Sequence, residues 1–257
     1  MPDGLDAGWL AGDAYDALRA ADFGRFCEAA SIDQTAHVPT CPEWDVAALC
    51  DHLARVYQGR SYVIAHGAFM DREDVASRPD GTDPLAWVRR WSDTLDRSLL
   101  ELPDEAPTVT FMPEATTVHF WRRRMALETL VHRTDAEVAV GDVAPMDNDL
   151  SADGIAELLW FGTHPENDEP DGIEAASVVA LTDGTQTWTA SLTERGLATP
   201  ASGAPAATVR GSAPALLLAL SGRDLEGIGA PRFGVALPVV EGDPAAYERL
   251  LGRLGAF

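Results

Sequence analysis

The chain of 257 residues contains no lysine; all 19 of its basic residues are arginine. Schiff-base catalysis and a Walker-type phosphate loop both need a lysine amine, so both are excluded. Basic residues are scarce beside 41 acidic ones, and the net charge is −22. That field repels phosphate backbones, and the cluster Arg122 to Arg124 is too short a stripe to counter it, so no nucleic-acid partner is expected. Cysteine is equally sparse. Cys27, Cys41 and Cys50 form no CxxC pair and leave one over, which argues against a disulfide framework and for a reducing cytoplasm. No run of 18 apolar residues exists, so no membrane span is expected. The opening stretch MPDGLDAGWLAGDAYDALRAADF is acidic and broken by Gly and Asp, unlike a secretory signal. No internal repeat is found.

What is present is an ordinary globular composition, with 46% hydrophobic and 23% charged residues. A chain of this length buries roughly 70–75% of its unfolded surface, so neither disulfides nor a metal are needed merely to fold. The first 140 residues read as four amphipathic helices. Leu10, Ala14, Leu18 and Ala21 keep a helical period that Phe26 extends. After the loop VPTCPEW, Asp45 is a candidate N-cap, followed by Val46, Leu49, Leu53, Val56 and Val63 on one face. A third helix starts at Asp83-Pro84, carries Leu85, Val88, Trp91, Leu95, Leu99 and Leu102, and stops at Pro103. The fourth runs from about His119 to Val140, with Gly141 closing it. Four such helices predict a four-helix bundle. The long segments Asp71 to Thr82 and Asp104 to Thr117 allow crossovers between helices that are not sequence neighbours.

Beyond Gly141 the composition changes. Asp142 to Ser151 reads as a linker, Ala152 to Phe161 as a helix, and THPENDEPDG as a polar loop. Two strands alternate around an Asp183-Gly184 turn: Ala176, Val178 and Ala180, then Trp188, Ala190 and Leu192. ATVRG predicts a further strand before a helix capped at Ser212, and GVALPVV one before a helix capped at Asp243. The expected architecture is α+β: a helical domain over 1–145 and a smaller α+β domain over 146–257.

The fourth helix carries the chemistry. Val118, Trp121, Met125, Glu128, His132, Ala136 and Ala139 fall within about 80° of one another. A carboxylate and an imidazole on that inward face need a partner. Glu128 and His132 are one turn apart, so an oxygen and a nitrogen can converge on one cation. They can equally satisfy each other, or pair with Arg124. His52, at the edge of the apolar stripe of the second helix, is either a half-exposed histidine or a third ligand. Two histidines and a glutamate leave a position open on a zinc-like ion, which marks a catalytic site.

The stretches VPTCPEWDVAALCDHLARV and RRRMALETLVHRTDAEVAVG resemble the two signatures of the mycothiol-dependent maleylpyruvate isomerase family, whose bundle is DinB-like. TDGTQTWTASL through ATVRGSAPALLLALSGRD resembles that family's small C-terminal domain. Glu43 stands where the family's loop usually has Gly. The resemblance implies that His52, Glu128 and His132 bind a divalent metal, usually zinc, which takes the thiol of mycothiol as cosubstrate. It implies an isomerase of the maleylpyruvate type or a thiol S-transferase acting on a small electrophile. It gives a catalytic arginine to the C-terminal domain, with Arg223 at the matching segment and Arg210 second. Asp135, one turn beyond His132, either orients a ligand ring or makes an exposed salt bridge. Trp44 either packs at the helix start or lines the cleft. Cys50 reads as core, and no His/Asp pattern surrounds Cys41 to make it a nucleophile. The alternatives are a non-catalytic metal-binding or regulatory module, or a metal-dependent hydrolase that activates water.

Overall fold

A computed structural model describes residues 8–164, 177–193 and 196–254. The chain divides into two compact units, Met1–Ala144 and Pro145–Phe257. The first is helical: α1 (Gly12–Ile32), α2 (Val46–His66), α3 (Pro84–Leu100) and α4 (Val118–Val140). Short polar side chains open two of them. Asp45 accepts from the Ala48 amide and Asp83 from the Ala86 amide, each at 2.8 Å, and Pro84 fills the first turn of α3 where no N–H is needed. Gly67 and Gly141 end α2 and α4 in the left-handed conformation, at φ 65° and 77°. Within the unit α1 packs on α4 and α2 on α3, and α2 also contacts α4. The main partner of α1 is thus the helix farthest from it in sequence, as the long connections allow.

The buried face of α1 differs from the periodicity of its small apolar residues. Ala14 and Leu18 are only half-buried and Ala21 is exposed, whereas Tyr15, Arg19, Asp22 and Phe26 point inward. The reason lies on the facing helices. Arg19 donates to Ser92 at 3.2 Å and pairs with Asp96 of α3, while Asp22 meets Arg133 of α4 at 3.1 Å. Buried charge is tolerated because it is paired. α4 is buried on nearly every side along residues 118–137, so it carries Arg122, Arg123, Arg133 and Glu137 into the interior together with its apolar residues.

The second unit begins with α5 (Asn148–Gly162), four residues earlier than its apolar pattern suggests. Asp147, one of the acidic residues that read as linker, is its N-cap and accepts from Leu150 at 2.8 Å. A five-stranded sheet follows: β1 (Ser177–Thr182), β2 (Thr187–Thr193), β3 (Gly196–Ala198), β4 (Ala207–Arg210) and, after α6 (Ala213–Leu220), β5 (Val239–Gly242). The strand order is β3-β2-β1-β4-β5, with β1 and β4 parallel and the other neighbours antiparallel. Asp183 shapes the β1–β2 turn by accepting from the amides of Thr185 and Gln186, and Gly184 takes φ 92°. β3 is too short to show in sequence. β5 starts only at Val239, because Gly234 (φ 81°) ends a 3-10 turn and Pro238 has no N–H for a ladder. α7 (Pro244–Leu254) contacts β1 and β4, α5 contacts β2 and β3, and Leu197 and Leu254 meet at Gly162. Most of the expected polar loop, from residue 165 on, and Ala176 lie outside the described residues. The fold is α+β, a helical unit followed by a smaller sheet-based one.

Candidate metal centre

The loop before α2 is a tight turn. Val38 donates to Trp44 O at 2.9 Å, Trp44 donates to Cys41 O at 2.8 Å, and the His37 ring bonds Pro42 O at 3.0 Å. This closure sets the Trp44 ring 4.8 Å from that of His52, centroid to centroid, and 6.4 Å from that of His132. Trp44 therefore lines the cluster of imidazoles. Seven residues after the α2 cap, His52 faces α4, where Glu128 and His132 stand one turn apart.

The three side chains meet. Nε2 of His52 lies 3.3 Å and Nε2 of His132 lies 3.2 Å from the same atom, Oε1 of Glu128. One donor atom from each residue falls within 4.8 Å of the other two. Zinc–ligand bonds of about 2.0–2.1 Å in a tetrahedron put ligand atoms roughly 3.3 Å apart. The two Glu128 edges have that length, and an N,N,O set of two imidazoles and one carboxylate suits a borderline divalent cation. Two features orient the donors. Asp135, fully buried, holds Nδ1 of His132 at 2.9 Å, which leaves Nε2 for the centre. Arg124 pairs with the other oxygen of Glu128, Oε2, which leaves Oε1 for the centre. The salt bridge to Arg124 and a donor role are therefore not alternatives, since they use different oxygens.

The electrostatics match an assembled site. Burial opposes the charge on Glu128, but Arg124 and hydrogen bonds from His132 and His52 outweigh it and hold the carboxyl well below its usual range. Burial likewise disfavours a charged His132, yet bonds to Asp135 and Glu128 raise it to about 9. Without a metal its ring carries a proton at neutral pH, so a cation taken up here releases one. His52 keeps 27% of its side chain exposed against 10% for His132, so the centre is reached from the His52 side.

Arg223 belongs to the second unit, just after α6. It is buried, its Nη1 donates to Ser221 O at 2.5 Å and its amide to Leu218 O at 3.0 Å. Arg210 is exposed and pairs with Glu241 across β4 and β5 at 3.2 Å. Cys50 is fully buried and its thiol is pushed up to about 12 by that burial, as a core cysteine should be. Sequence spacing alone did not show that the Trp44 ring packs, tilted, beside that of His52; the turn of residues 38–44 does that.

Residues 17–137, nearly all of the first unit, match the family model described as the mycothiol maleylpyruvate isomerase N-terminal domain. Over these residues the N-terminal unit is similar to this family. Two crystal structures share the fold over both units. The mycothiol-dependent maleylpyruvate isomerase matches with a TM-score of 0.58 and 14% identity, covering 83% of this chain and 90% of that one. A histidine-to-alanine mutant of that isomerase matches with a TM-score of 0.59 and 14% identity, covering 85% and 92%. At this identity the likeness is one of fold. No curated protein matches the chain. Among the described residues no helix is long and apolar enough to cross a membrane.

Proposed function

We propose that the chain is a metal-dependent enzyme that uses a low-molecular-weight thiol, mycothiol by its family, as cosubstrate. Its reaction is isomerisation of the maleylpyruvate type or S-transfer to a small electrophile. The observation that carries this reading is the convergence of His52, Glu128 and His132, with both histidines 3.2–3.3 Å from one Glu128 oxygen, all three donors within 4.8 Å and His52 part-exposed. These residues would hold a divalent cation, zinc by the donor set. Zinc bound there lowers the pKa of a coordinated thiol from about 8.5, so that it is thiolate at neutral pH. The chain's own residues do the rest. Asp135 fixes the His132 tautomer, Arg124 holds one oxygen of Glu128, and the Trp44 ring packs beside that of His52. Arg223, which the family resemblance gives to the substrate, is tested by kinetics of Arg223→Met.

The deciding experiment is metal analysis combined with mycothiol titration of wild type, His52→Ala and Glu128→Ala. One equivalent of metal per chain, with metal-dependent thiol binding lost in both variants, supports the reading. Metal uptake unchanged in His52→Ala overturns it. Turnover without any thiol points instead to a hydrolase.

A further inference from the structure

Arg60 lies on the same face of α2 as His52. Residues 52, 56 and 60 repeat at one-turn spacing, which places Arg60 about 12 Å along the axis from His52. α2 and α4 run antiparallel along this seam: His52 meets Glu128, Tyr57 meets Thr129 at 2.6 Å, and Arg60 lies over Trp121. The Arg60 guanidinium is 4.9 Å from the Trp121 ring centre and 5.9 Å from that of Phe111. Arg19, Arg122, Arg124 and Arg133 of this unit each face a carboxylate. Arg60 does not. Among the described residues it has no ion-pair partner, and its Nε is buried with no hydrogen-bond acceptor. Burial pulls its pKa down, with Glu128 opposing and Arg124 adding to the effect. It nonetheless remains a guanidinium, with five donors in a planar fork and aromatic faces against it.

A part-buried cation held against π faces, with no carboxylate partner among the described residues, is incompletely compensated. It is close enough to the triad for the charge of Glu128 to act on it. We propose that Arg60 is the anion-recognising residue of this centre, receiving a substrate carboxylate whose reacting carbon lies toward His52 and Glu128. The substrate class is then a short electrophile, within about two helical turns or roughly 10 Å in length, with a carboxylate at the end remote from the reaction. This rests on the triad being the reaction centre, but the binding part can be tested without it.

The test uses the full-length protein, with and without chelator, titrated with maleate, with inorganic phosphate, and with sodium chloride as the ionic-strength control. Trp121 fluorescence and calorimetry serve as readouts. Maleate should bind and perturb the fluorescence, Arg60→Met should weaken it about 10- to 100-fold, and Arg60→Lys should fall between. Where turnover is found, Arg60→Met should raise KM for a carboxylate electrophile but not for its amide, at unchanged metal content. Phosphate binding in preference to maleate, or equal maleate binding by wild type and Arg60→Met, overturns the proposal. If Arg60→Met does not fold, Arg60→Lys decides alone, and wild-type affinity in it is the overturning result. Arg60-dependent maleate binding in a protein that takes up no metal would keep this inference and sink the proposed function.

Discussion

Asp135 is fully buried, and its bond to Nδ1 of His132 is the contact through which it acts on the centre. Asp135→Asn keeps the volume but weakens the hold on the tautomer. We expect metal affinity to fall about 10- to 100-fold in a competitive chelator titration, with Glu128 and His52 unchanged. A wild-type affinity would show that packing alone orients the ring. The cysteines give a second residue-scale prediction. With its thiol raised to about 12 and no exposure, Cys50 should resist a thiol-specific reagent in the native state and react only on unfolding. Cys27, also buried and raised, should behave likewise. Rapid native labelling of either, read by mass spectrometry, would contradict the packing described here. That Glu128 and His132 can converge was legible in the sequence because side chains one turn apart share a face, whereas His52, on another helix, was singled out as a ligand only through the family resemblance. The partition of the two Glu128 oxygens was not legible, because it depends on where Arg124 directs its guanidinium.

At the scale of elements, two glycines separate backbone strain from steric exclusion. Gly141 has φ 77°, and a Cβ there meets nothing within 4 Å. Gly141→Ala should cost about 1–2 kcal/mol in denaturant unfolding, from the left-handed conformation alone. Gly242 on β5 has φ 95°, and a Cβ there would stand 2.3 Å from the Ala206 carbonyl oxygen. Gly242→Ala should cost more and should loosen the β4–β5 pairing, visible as faster amide exchange at Val209 and Val240. Equal effects at the two sites would refute the distinction. Helix ends carried by a cap residue and a stop signal, as at Asp45 and Gly141, could be read in advance. α1 could not: its stripe of Ala and Leu is outcompeted by Arg19 and Asp22, whose partners lie on α3 and α4. β3 and the late start of β5 escaped the pattern for similar reasons, as three paired residues leave no period and a proline interrupts the ladder.

For the whole molecule, buried charge and surface charge lead to opposite expectations. Arg133 binds Glu137 at 2.8 Å, Asp22 at 3.1 Å and the Ala144 carbonyl at 3.0 Å, while Glu137 also takes Arg25 at 2.6 Å and the Ala144 amide. This network ties α1 and the end of the first unit to α4. Arg133→Met leaves two buried carboxylates short of a partner and should cost about 3–5 kcal/mol. A loss under 1 kcal/mol in chemical denaturation would show that the network is redundant. On the surface, the net charge of −22 repels itself. Raising salt from 10 to 150 mM shortens the screening length from about 30 to about 8 Å and should raise Tm. A fall in Tm would mean that exposed ion pairs outweigh the repulsion.

Local rules were enough for the helix count, most caps, the α+β class and the spacing of the Glu128–His132 pair, because each depends on residues within one or two turns of chain. The tertiary structure decided which face of α1 is buried, which oxygen of Glu128 faces the histidines, that the Trp44 ring packs beside that of His52, and that Arg60 has no carboxylate partner among the described residues. Most of those outcomes depend on side chains far apart in sequence that meet only when the helices pack, as Arg19 meets Asp96, Asp22 meets Arg133, His52 meets Glu128 and Arg60 meets Trp121, and the Trp44–His52 contact depends on the closed turn before α2; no periodicity in a single segment encodes such a meeting.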